Sequence, residues 1–174
     1  MRRTLASLLI IAALVTAATV ASAAANIALG RPATASGTYT PSAAPFAAVD
    51  GDTTTAWNAG GYATQWIEID LGSDKSVDMA HMKAAQFPPG AVTHVITGRT
   101  SDGATVTLAT FSGYSEQGKW LTAYSADTTP VRYVRITTLA SPSWVAWWEI
   151  ELTEGSPPTP VATSSWGQLK ALFR

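Results

Sequence analysis

The chain of 174 residues contains no cysteine. That excludes a disulfide framework, a lipid-attachment cysteine and a cysteine nucleophile. Histidine is nearly absent too: only His81 and His94 occur, and no HExxH pair is present. No nucleophile elbow or phosphate-binding glycine loop appears either. Charge is sparse, at 13 % of residues, with 11 Lys and Arg against 12 Asp and Glu. The basic residues are scattered, so the chain lacks the electrostatic footprint of a nucleic-acid binder. No sequence period marks a repeat array. The middle of the chain holds no helical period for three turns, which excludes a helical bundle. These absences do not exclude a carboxylate pair for glycoside hydrolysis.

One long apolar run exists, from Leu5 to about Val20, behind Arg2 and Arg3. It is rich in Ala and Thr and falls short of the roughly 20 apolar residues of a spanning helix. Small residues follow. Ala21-Ser22-Ala23 and Ala23-Ala24-Ala25 fit a signal-peptidase site equally well, so residues 1–25 read as a secretory signal. The expected location is outside the cytoplasm, secreted or periplasmic. A domain exported without disulfides is held by its core, with or without a metal. Near the other end, "EGSPPTP" reads as a semi-extended linker over residues 154–163. Residues 164–174, "SSWGQLKALFR", place Trp166, Leu169 and Phe173 on one helical face. This amphipathic segment is expected to meet a partner or membrane face, to fold back onto the sandwich, or to stay disordered. Residues 26–153 remain as one domain of ordinary size.

What fills that domain is strand pattern. "QWIEIDLG" puts Ile67, Ile69 and Leu71 on one face and breaks at Gly72. "THVITGRTSDGATVTLATF" holds two β-rich runs around Ser101-Asp102-Gly103, a hairpin signal. "VRYVRITTL" and "WWEIEL" supply two more strands. In the last, Glu149 and Glu151 alternate with Trp148, Ile150 and Leu152, which sends both carboxylates to the opposite face. Thr, Val and aromatic residues dominate, and turn residues recur every ten or so positions. The class is all-β, a sandwich or barrel.

Six segments occur in order: "NIALGRPATAS" (26–36), "AAVDGDTTTAW" (47–57), "QWIEIDLG" (65–72), "RTSDGATVTLA" (99–109), "VRYVRI" (131–136) and "WEIEL" (148–152). Together the set resembles the discoidin, or coagulation-factor type C, domain. This galactose-binding-like family includes bacterial carbohydrate-binding modules. The resemblance covers nearly all of residues 26–153. It implies an antiparallel jelly-roll β-sandwich with binding loops at one end, and binding rather than catalysis.

It also implies a structural Ca²⁺ in the segment 47–57, whose chemistry fits. Calcium takes six to eight oxygens from carboxylates, hydroxyls and carbonyls. Gly51 permits the tight turn this needs. Asp50 supplies charge, Asp52 a carboxylate or a carbonyl, Thr55 a hydroxyl and a carbonyl. Ala47 or Ala48 adds a carbonyl, and the family pattern points to Glu149 for the last carboxylate. The plain alternative is a polar turn held by Asx hydrogen bonds. Trp57, just after the loop, reads as a packed plug at the sandwich end.

Ligand contact is expected from loops. Five carry aromatic rings suited to stacking on a sugar face: Tyr39 in 37–45, Tyr62 in 58–64, Phe87 in 84–92, Tyr114 and Trp120 in 111–120, and Trp144 with Trp147 in 140–147. Asn58, Gln65, Gln86 and Glu116 are the polar candidates nearby. Sugar-binding members of the family often add an Arg and a His, and none of these loops has either. His94 falls within a strand pattern, and Arg132 and Arg135 read as locally paired strand residues. The expected function is a secreted, non-catalytic carbohydrate-binding module with a structural calcium. The alternatives are an adhesion module for protein or lipid headgroups and an accessory whose contact is its tail.

Overall fold

The computed structural model describes residues 24–155. The expected signal peptide, all but Ala24 and Ala25, lies outside the described residues, as do the linker from Ser156 onward and the amphipathic end. Among the described residues no helix is long and apolar enough to cross a membrane.

Among the described residues, nine strands form two antiparallel sheets. They are β1 (Ala33–Ala35), β2 (Trp57–Asn58), β3 (Gln65–Lys75), β4 (Val77–Ala84), β5 (Gly90–Arg99), β6 (Thr105–Ser115), β7 (Trp120–Tyr124), β8 (Val131–Ala140) and β9 (Ala146–Glu154). One sheet runs β1-β3-β8-β5-β6 and the other β2-β9-β4-β7. Two 3₁₀ turns, Pro41–Ala43 and Pro45–Ala48, precede β2. The architecture is the expected all-β sandwich.

The alternation read in β3 is what builds one inner face. Ile67, Ile69 and Leu71 are fully buried and face Ile150, Leu152 and Met82 of the other sheet across one core. Burying each such side chain contributes about 1.5–3 kcal/mol, which is how a cysteine-free domain holds together. Strand β3 does not stop at Gly72. It shifts register against β8 between Asp70 and Lys75, with Gly72 at φ 85° and its N–H donated to Asp70. The hairpin at Ser101–Gly103 forms as expected, closed by Thr100 and Ala104.

Strand β9 departs from simple alternation. Its register against β4 shifts between Lys83 and Ala84, so that Lys83 pairs with Glu149 and Ala84 with Trp147. Trp148 is the extra residue. Trp147 is therefore buried in the core, while Trp148 is partly exposed beneath the Lys83 ammonium, 5.1 Å from its ring. The expectation that Trp148 shares the inner face with Ile150 and Leu152 is corrected by this bulge. Its consequence is functional, because the bulge lies between a ring exposed at one sandwich end, Trp144, and the buried acid Glu149.

Candidate functional site

Two arrangements sit on either side of that bulge. The first is the turn that follows the second 3₁₀ element. Gly51 takes φ +81°, and a Cβ there would meet Leu29 at 2.9 Å, so the turn demands glycine. The Thr55 hydroxyl oxygen lies 2.8 Å from Asp50 Oδ2, 2.9 Å from the Asp52 carbonyl and 3.4 Å from the Ala47 carbonyl. Three acceptor oxygens thus share a single hydroxyl proton. Asp50 Oδ1 accepts the Asp52 N–H at 2.8 Å. The Asp52 carboxylate turns the other way and accepts both the N–H and the hydroxyl of Thr54. Those bonds hold its carboxyl below the usual carboxylate range. Of the two roles open to Asp52, the cluster receives its carbonyl.

Glu149 closes the arrangement from β9. It is 1 % exposed. Its Oε2 accepts the Gly51 N–H at 3.1 Å, and its Oε1 is buried with no partner among the described residues. Burial first, then the charge of Asp50, pushes its carboxyl up to about 7, against the opposing Gly51 hydrogen bond. An orphaned buried carboxylate oxygen beside a second acid and two inward carbonyls is what a hard cation would relieve. No three acidic or histidine side chains converge among the described residues. The oxygen set is instead mixed: two carboxylates, two carbonyls and a hydroxyl.

The second arrangement is a cleft of about 350 Å³ lined by Asn58, Tyr62, Ala85, Phe87, Gln117, Ser143 and Trp144. Three rings expected on separate loops meet here. Phe87 is 80 % exposed, Tyr62 62 % and Trp144 38 %. Tyr39 sits beside the cleft, its ring edge-on to Trp144 at 5.2 Å. Backbone bonds stitch the contributing loops: Ala59 N–H to the Val145 carbonyl and Val145 N–H to the Gly61 carbonyl, both 2.9 Å. Asn58 Oδ1 accepts the Gly60 N–H, which leaves the amide nitrogen for another acceptor. No residue lining the cleft is charged at neutral pH.

A family model for the F5/8 type C domain matches residues 32–150. The chain belongs to this family. None of the curated proteins compared with it matches. Solved structures do. A variant of chitosan-binding module 1, derived from a chitosanase/glucanase of Paenibacillus sp. IK-5, aligns with TM-score 0.64 and 25 % identity, over 75 % of this chain and 99 % of that one. Chitosan-binding module 2 of the same enzyme, solved with chitotriose, gives 0.62 and 24 % over 74 % and 99 %. A family 32 carbohydrate-binding module from C. perfringens NanJ, solved with galactose, gives 0.62 and 15 % over 72 % and 94 %. The sandwich is thus a carbohydrate-binding-module fold.

Other candidates lie elsewhere on this type C domain. Tyr114 and Trp120 do not share a loop with the cleft rings. Tyr114 is in β6, under the Lys119 ammonium, and Trp120 opens β7, stacked on His81 at 4.2 Å. Register brings Trp120 opposite Lys83 on the outer sheet face. Gln86 is buried and hydrogen-bonds the Ser115 carbonyl, so it faces no ligand. Gln65 is engaged by Ser36 and Tyr62. Trp57 is fully buried, its indole N–H donated to Gly37 at 2.9 Å. His94 is buried against Thr138, Phe111 and Trp147, and burial lowers its pKa to about 4. Gln117 and Ser143 were not expected in the cleft. Both lie in short loops with no signal beyond polarity.

Proposed function

We propose that residues 26–153 form an exported, non-catalytic module that binds an uncharged glycan in the cleft of Tyr62, Phe87 and Trp144. The observation that carries this reading is the convergence of three exposed rings on one neutral cleft in a type C sandwich. The rings would stack on apolar sugar faces, while Asn58, Gln117 and Ser143 hydrogen-bond hydroxyls. The neutrality of the lining sets the ligand class. No carboxylate waits for a sugar amine and no guanidinium for a sugar acid. Chitosan-binding and galactose-bound relatives support a glycan, but the absence of charge favours an N-acetylated or neutral sugar over a protonated amino sugar. The leader-like residues 1–25 support export.

The loop beside the cleft is proposed to hold a structural Ca²⁺. Asp50, Glu149, Thr55 and the carbonyls of Ala47 and Asp52 are its ligands, and the ion would fix the turn rather than touch the sugar. What supports it is the oxygen cluster with too few protons and the unpartnered Oε1 of Glu149. A glycan array run with and without chelator tests the whole reading. Binding of neutral glycans that disappears in Trp144→Ala is the expected result. An array blank for all neutral glycans, with liposome sedimentation positive, would replace it with a lipid-headgroup module.

A further inference from the structure

The outer face of the β1-β3-β8-β5-β6 sheet carries two kinds of arginine–carboxylate pairing. Arg132 and Asp70 form a closed pair, with Nε and Nη2 donating to the two carboxylate oxygens at 2.8 and 2.9 Å. Both partners spend their best hydrogen-bonding geometry on each other. Glu68 is different, because two arginines share it. Arg99 Nη2 donates to Oε1 at 2.9 Å and Arg135 Nε to Oε2 at 3.0 Å. Each of these guanidiniums gives Glu68 a single N–H and makes no other hydrogen bond among the described residues, although each has five to donate.

Both are nevertheless held still. The Arg99 guanidinium lies 3.9 Å from the Tyr133 ring centre, and that of Arg135 lies 4.0 Å from Trp66. Stacking of this kind fixes the plane and leaves the edges free. Cross-strand register puts Arg99 beside Thr105 and Tyr133, and Arg135 beside Thr97. These residues surround a hollow of about 230 Å³. That is smaller than the roughly 300–1,000 Å³ of ordinary small-ligand pockets, so it suits one terminal unit and not a longer chain. The hydroxyls of Thr97, Thr105 and Tyr133 make no hydrogen bond among the described residues. The local charge does not cancel. Two guanidiniums, Arg99 and Arg135, line the hollow against one carboxylate, Glu68.

We propose that this hollow is a second ligand site, separate from the aromatic cleft, which takes the carboxylate of a terminal sugar acid. The free guanidinium edges of Arg99 and Arg135 would grip the carboxylate, and the three hydroxyls would meet the sugar's own. A planar carboxylate matches the guanidinium fork, which a lone ammonium would not. The hydroxyl lining favours a polyol acid over an acidic peptide side chain. Glu68 is the internal competitor, holding both arginines in place until a ligand carboxylate arrives. The site does not depend on what the cleft binds.

The test is an amide-shift titration of the full chain with galacturonate, with galactose, glutamate and inorganic sulfate as comparisons. Galacturonate should move the amides of Thr97, Arg99 and Thr105, and galactose should leave them in place. Arg99→Lys, which keeps the charge but loses the fork, should weaken galacturonate about tenfold, in line with a lost charge-assisted hydrogen bond. Glu68→Gln should tighten it severalfold by removing the competitor, and Trp144→Ala should leave it unchanged. No shift at this face, or equal affinity for sulfate or glutamate, would overturn the assignment. So would a folded Glu68→Gln that binds no more tightly. If that variant does not fold, Arg99→Lys decides alone.

Discussion

The acid loop and the aromatic cleft are close in the chain yet differ in what holds them. Thr55 of the loop is three residues from Asn58 of the cleft, and Trp144 of the cleft is five from Glu149 of the loop. In the loop, side chains and backbone lock onto one another around Gly51, and one carboxylate is buried without a full set of partners. In the cleft, backbone bonds hold the frame while the rings stand in solvent. Each region's energy therefore goes to a different place. The loop stores an electrostatic cost that the proposed ion inside the fold would relieve, so its chemistry should be read as stability. The cleft stores exposed apolar surface that the proposed glycan would cover from outside the fold, so its chemistry should be read as affinity.

Removing calcium sharpens that contrast most. At free calcium about a hundred times the dissociation constant, linkage adds about 2.7 kcal/mol to the folded state. For a domain of this size each kcal/mol moves the melting temperature by roughly 2–4 °C. Chelator should therefore lower it by roughly 5–10 °C, and Asp50→Ala should abolish the difference between calcium and chelator. Differential scanning calorimetry in millimolar calcium checks this. An identical melting curve with chelator removes the ion from the loop, and the contrast with it.

Acid probes the strand that the two regions share. Between Trp144 and Glu149 the chain buries Trp147, whose ring edge meets His94 at 4.8 Å. Thr138, Phe111 and Trp147 surround that histidine, and among the described residues burial alone shifts it. Burial holds its pKa at about 4 against an ordinary 6.5. The unfolded chain thus takes a proton first as pH falls. The contribution is fully present above about 6.5 and is lost progressively toward about 4. By pH 5 the loss is about 2 kcal/mol. His94→Gln should flatten this part of the profile in calcium-saturated protein. Glycan affinity, with no titratable group other than Tyr62 in the cleft, should hold steady over the same range while the fold survives. A profile unchanged by the substitution would show that burial does not depress the pKa of His94.

In the cleft, Trp144→Ala should cost at least about 1.4 kcal/mol of glycan binding, a tenfold loss, with a melting temperature within about 2 °C of the original. Titration calorimetry against a neutral oligosaccharide measures it. Phe87→Ala should follow the same pattern. Because no carboxylate lines the cleft, chitotriose should bind less tightly than its N-acetylated form. The reverse order would place an unrecognised acid in the site.

The same contrast explains what the sequence made legible. The loop could be read because its constraints are local: Asp50, Gly51, Asp52 and Thr55 sit within six residues, and Glu149 came from family resemblance. Strand β3 could be read from the period-2 burial of Ile67, Ile69 and Leu71. The cleft could be read only as a set of candidate rings. Whether Phe87 meets Trp144 depends on how five loops fold at one sandwich end, and no spacing encodes that. Tyr114 and Trp120 resembled loop residues but continue into β6 and β7. Trp148 was misplaced because a bulge opposite Lys83 and Ala84 leaves no mark in an alternating pattern.

The smallest expected effect is the most demanding test of treating the two regions as separate. Calcium release would loosen the turn between Asp50 and Thr55, and Asn58 is only three residues away. Trp57 stands between them. It is fully buried, donates its indole N–H to Gly37, and pairs across the sheet with Trp147. Beyond it, the bonds between Ala59, Gly61 and Val145 hold the cleft frame without using any atom of the loop. Motion in the turn should therefore stop at Trp57. Measured well below the melting temperature of the metal-free form, chelator should change neutral-glycan affinity by no more than about threefold, or roughly 0.6 kcal/mol. A tenfold loss under those conditions would mean that Trp57 transmits the change, and that loop and cleft act as one site.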